Sequence, residues 1–130
     1  MRMDDTTRAA LARNVKLLRE DAKWSQQELA KRAGVAQTAI SYMERPESLK
    51  SPTIAHISKV AGAFGLAPWH LLLPAATVDV LRARSVDKLV TCYVHLTQAG
   101  RDSVMRVAET EVRYQTIATA TASLRNDEGA

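Results

Sequence analysis

The sequence predicts an all-α protein, with five short helices in its first 74 residues and a C-terminal helical pair after them. Three observations carry this. Apolar residues recur at helical spacing, as in Leu11, Val15, Leu18 and Ala22, and again in Ile54, Ile57, Val60, Ala61 and Phe64. Nothing in the N-terminal half alternates with the period of a strand. Helix punctuation falls at short intervals: Ser25, Gly34, Pro46, Pro52, Gly65, Pro68 and Pro74. Loops of about two to eight residues between the segments suit a compact helical domain.

The first helix is expected from a cap at Thr6 or Thr7 to about Ala22, with Trp24 packing between it and the next. Its basic residues Arg8, Arg13 and Lys16 read as solvent-facing. Ser25 is an N-cap and Glu28 follows at capping-box spacing, so a second helix starts there. Leu29 and Ala30 form its inward face, Gly34 ends it in the left-handed conformation, and Val35 plugs the turn. A third helix starts near Ala36 and buries Ala39, Ile40 and Met43. Pro46 stops it, and the loop runs to Pro52. The fourth helix spans Thr53 to Phe64, and the fifth is Pro68 to Leu72, where Leu71, Leu72 and Trp69 close the core.

The third helix leaves Gln37, Thr38, Ser41 and Tyr42 outward. A solvated helix face normally carries Lys and Glu. An uncharged hydrogen-bonding face suits a surface that reads donors and acceptors on base edges. Charge agrees: residues 1–73 hold 11 Lys/Arg against 7 Asp/Glu, whereas residues 74–130 hold 7 of each. All the excess positive charge therefore lies in the half that carries this face, which fits a polyanionic partner.

Several spaced motifs resemble the phage-repressor/Cro (Xre-like) helix-turn-helix family. They are Leu17-Leu18-Arg19-Glu20, Ser25-Gln26-Gln27-Glu28-Leu29-Ala30, Ala33-Gly34-Val35, Ile40-Ser41-Tyr42-Met43-Glu44, and Ala61 to Leu66 followed by Leu71-Leu72. The resemblance implies a five-helix lambda-repressor-like DNA-binding domain with Ala36 to Glu44 as recognition helix in the major groove. Gln37, Thr38, Ser41 and Tyr42 then match base-reading positions, and Gln26, Arg45 and Lys50 match phosphate contacts. Arg19 and Glu44 match a structural ion pair. Two positions depart from the family pattern: Lys23 and Arg45-Pro46 stand where it usually turns on glycine.

Val78, Leu81, Val86, Leu89, Val90, Tyr93 and Val94 support a helix over 77–96, broken near Ser85. Thr97 caps another that runs to about Gln115. This neutral pair is too small for its own core and is assigned to homodimerisation through residues 77–115. The expected organisation is thus a DNA-binding domain over 1–74, a dimerisation element over 75–115 and a poorly ordered tail over 116–130. The function expected is a transcriptional repressor that binds a palindromic double-stranded DNA operator. The alternative is an antitoxin-type protein whose C-terminal helices bind a protein partner.

Other chemistry is missing from the sequence. The single cysteine, Cys92, excludes an internal disulfide, and its apolar neighbours suggest a buried thiol. His56, His70 and His95 lack ligand spacing, so no metal or other cofactor is expected. Ser85 or Ser103 with Lys88 has no supporting catalytic pattern, and an enzyme is not expected. With neither a signal peptide nor an apolar run of about 20 residues, a cytoplasmic protein is expected.

Overall fold

The computed structural model describes residues 3–129. Its helices are α1 (Asp5–Asp21), α2 (Gln26–Ala33), α3 (Gln37–Met43), α4 (Ile54–Ala63), a 3-10 turn (Pro68–Leu72), α5 (Val78–Arg82), α6 (Arg84–His95) and α7 (Gln98–Glu128). Among the described residues there is no strand. The chain divides into two units, one up to Ala83 and one from Arg84 onward.

In the first unit, Leu11, Val15 and Leu18 of α1 meet Leu29, Ile40, Met43, Val60, Leu71 and Leu81, all of them fully buried. Each such side chain contributes about 1.5–3 kcal/mol relative to an exposed one. The unit extends nine residues past the expected boundary at 74. Ala76 and Leu81 join the core, Arg13 donates to the Ala76 carbonyl at 2.6 Å, and Arg82 pairs with Asp21 at 3.1 Å. Asn14 is fully buried, and its Nδ2 donates to the carbonyls of Leu71 (3.0 Å) and Leu73 (2.8 Å), which fastens the 3-10 turn to α1.

Local signals behave as their chemistry requires, with some corrections. Asp4 rather than Thr6 or Thr7 caps α1, accepting from the Thr7 amide at 2.9 Å; a carboxylate so placed also faces the positive end of the helix dipole. Ser25 caps α2, accepting from the Glu28 amide at 3.0 Å, while the Glu28 carboxylate accepts from Arg32 at 2.7 Å. Gly34 closes α2 at φ 67°. Lys23 takes φ 58°, a left-handed conformation that costs a side chain about 1–2 kcal/mol. Ile54, expected on the buried stripe of α4, is 80% exposed in the first turn of that helix. Trp24, just after α1, is partly buried and packs against the core. Its ring stacks on Phe64 at 5.5 Å, with the Arg32 guanidinium 4.3 Å above it.

In the second unit α6 and α7 follow one another, and neither buries a described residue. The helix expected over 77–96 breaks at Ala83, whose ψ of 113° leaves the helical region. Thr97 caps α7, accepting from the Gly100 amide at 3.2 Å. The stretch from Thr116, expected to be poorly ordered, continues α7 to Glu128. From Arg101 to Glu128 there is no glycine or proline, and alanine favours helix. Thr110, Thr116, Thr119 and Thr121 each donate the hydroxyl to the carbonyl four residues back. Cys92, expected buried, is exposed on α6, a helix with no buried residue among those described.

Candidate nucleic-acid interface

A helix of seven residues does not hold together alone. Packing and polar ties must set the position of α3. Ala39, Ile40 and Met43 turn inward and are buried. The ties come from α1. Arg19 lays its guanidinium fork on Glu44, Nε to Oε1 at 2.5 Å and Nη2 to Oε2 at 3.0 Å, and its Nη1 donates to the Trp24 carbonyl at 2.9 Å. The Glu44 hydrogen bond raises the Arg19 pKa above its ordinary value. Gln26, first residue of α2, donates Nε2 to Glu44 Oε2 at 3.0 Å. One carboxylate thus joins the end of α1, the start of α2 and the C-cap of α3.

Arg8 is the residue that sequence reasoning misplaced. It is 4% exposed rather than solvent-facing, and its Nη2 donates to the Tyr42 carbonyl and, at 3.1 Å, to that of Arg45. A cation at the carbonyl end of a helix complements its dipole and satisfies open acceptors. Burial lowers the Arg8 pKa, and Nε and Nη1 lack a hydrogen-bond partner among the described residues. The signal was present: Arg8, Leu11, Val15 and Leu18 share one helical stripe. His56 was also missed. Its Nδ1 lies 3.1 Å from the Tyr42 hydroxyl and links α4 to α3.

With α3 so held, Gln37 and Thr38 are exposed, and Ser41 and Tyr42 are half-buried. Thr38, Ser41, Tyr42, Arg45 and Lys50 line one open depression together with Ser48 and Leu49. The Lys50 ammonium stands 6.0 Å from the Tyr42 ring centroid. Gln37 lies outside that lining, and Gln26 belongs to the Arg19–Glu44 cluster. Among the described residues no group of His, Cys, Asp and Glu could hold a metal ion. No described helix is long and apolar enough to cross a membrane.

Two helices joined by a left-handed glycine, the second presenting a polar face from a five-helix body, define a lambda-repressor-like helix-turn-helix DNA-binding domain. The Helix-turn-helix family (HTH_3) matches residues 15–68. A hypothetical transcription factor of Neisseria meningitidis is 39% identical over 80 residues, which cover 62% of this chain and 74% of that protein. An uncharacterised HTH-type transcriptional regulator of Mycobacterium tuberculosis is 32% identical over 100 residues, 75% of this chain and 38% of the relative. The crystal structure of the Neisseria factor NHTF superposes with TM-score 0.48 at 38% identity, covering 58% of this chain and 85% of that one. The chain belongs to this helix-turn-helix family of transcriptional regulators, and is not an enzyme.

Proposed function

We propose that the protein binds a palindromic DNA operator as a homodimer and represses transcription from it. The observation that carries this reading is the outward face of α3, where uncharged donors and acceptors stand on a helix fixed from behind by Arg8, Arg19 and Glu44. Gln37 pairs bidentately with adenine, Thr38 and Ser41 contact the next base edges, and Tyr42 meets a base edge or phosphate. Arg45 and Lys50, beside the same depression, hold phosphates. Gln26 grips another at the amino end of α2, where the dipole favours an anion, and does so by sharing its amide with Glu44 or leaving it.

The net charge of +4 in residues 1–73 supports a phosphate-dominated affinity that falls steeply with salt. Two copies pair through their C-terminal helices, which sets their recognition helices on half-sites about one helical turn, ~34 Å, apart. Selection of bound duplexes from random DNA tests the reading. An enriched inverted repeat is expected. Enrichment of no sequence overturns base reading, and a single unrepeated site overturns the homodimer.

A further inference from the structure

The longest helix carries a seam of exposed apolar side chains. Val107, Thr110, Tyr114, Ile117, Thr121 and Leu124 follow one another at alternating steps of three and four along α7. This is the repeat of a two-stranded coiled coil. Val107, Tyr114, Ile117 and Leu124 are 64%, 67%, 63% and 67% exposed, so the heavy apolar side chains of this row lie open. Thr110 and Thr121 donate their hydroxyls to the carbonyls of Arg106 (2.7 Å) and Ile117 (2.9 Å), so both can be covered without stranding a polar group. Met105 and Val112 lie on the opposite face, where the same seven-residue step next reaches Thr119, and that row lacks comparable bulk.

We propose that a second copy of this chain covers the seam as a parallel, in-register coiled coil. The inference rests on the homodimer of the proposed function and sets its contact at 107–124, rather than over the 77–115 expected from the sequence. Charge complementarity selects the occupant. Arg106 and Glu111 flank the seam on opposite sides, five residues apart. In a parallel pair of identical helices each Arg106 faces the partner's Glu111, twice by symmetry. An antiparallel pair would also give Arg106 an acidic neighbour, Asp127, so charge does not set the direction; it would, however, place the two α7 amino ends roughly 50 Å apart. The parallel pair brings both amino ends, and the chains leading back to the DNA-binding units, to one end.

Sedimentation equilibrium of the full chain tests the seam, with Ile117→Asp as the variant. The unaltered chain is expected to be a dimer, and Ile117→Asp to weaken pairing by ~100-fold or more, since each dimer loses two buried side chains and gains two buried charges. The thermal transition of the DNA-binding unit is expected to stay in place, which shows that the variant is folded. In a Cys92→Ser background, Leu124→Cys is expected to oxidise to a covalent dimer. A dimer indifferent to Ile117→Asp overturns the seam and leaves the homodimer standing. A covalent dimer formed only between Val107→Cys and Leu124→Cys chains overturns the parallel direction. A monomeric unaltered chain overturns both the seam and the homodimer.

Discussion

Replacing Arg19 by methionine keeps the aliphatic stem and removes three hydrogen bonds: two to Glu44 and one to the Trp24 carbonyl. The Glu44 side chain is 5% exposed, and Gln26 alone remains as its side-chain donor. Removing one partner of a buried pair costs about 3–5 kcal/mol, because the remaining charge stays buried without its counter-ion. For a unit of this size each kcal/mol moves the midpoint by about 4–8 °C, so a fall of roughly 12–40 °C is expected. Urea unfolding followed through the fluorescence of Trp24 and Trp69 measures the free energy directly. Arg19→Met combined with Glu44→Leu should be more stable than Arg19→Met alone, since no buried charge is then left. A loss below about 1 kcal/mol in the single variant would refute the claim that this pair fixes the end of α3.

Lys23→Gly should stabilise the domain by about 1 kcal/mol, read as a higher urea midpoint, because glycine adopts φ 58° without the side-chain penalty. Arg8→Met should change stability by less than about 1 kcal/mol, since the loss of two carbonyl contacts is offset by removing two buried donors that have no partner; a loss as large as that of Arg19→Met would contradict this. The bonds from Thr7 lower the Asp4 pKa below 3.8. A depressed carboxylate stabilises the fold above its unfolded pKa and loses that contribution as pH falls through the folded value. The stability difference between the native chain and Asp4→Asn should therefore be present at neutral pH and shrink as pH falls through and below the ordinary aspartate range; thermal melts at neutral and acid pH check the sign.

Where one side chain bonds its own backbone neighbourhood, the sequence was sufficient. Ser25 and Thr97 cap helices through their hydroxyls and Gly34 ends one through its backbone freedom, and the structure uses all three; the Glu28 half of the expected capping box does not form, since that carboxylate accepts from Arg32. The faces of α3 were legible for the same reason, since Ala39, Ile40 and Met43 leave little choice of burial. Arg8 was not legible as buried, because its partners are carbonyls 34 and 37 residues away, and residue type alone argues for solvent. The Ala/Thr-rich end of α7 was underestimated because it has no apolar stripe of the width that marks a core-facing helix; alanine propensity and threonine back-bonding are quieter signals. The boundary at Ala83 depended on α5 packing on α1, a tertiary contact without a composition change to announce it.

The central claim is that Gln37 reads a base from a rigidly held α3. Binding of Gln37→Ala to a selected duplex and to a random duplex, each at two salt concentrations, tests it most directly. The expected result is a loss of about 1–3 kcal/mol on the selected site, almost none on random DNA, and an unchanged salt slope. An equal loss on both duplexes would contradict the claim.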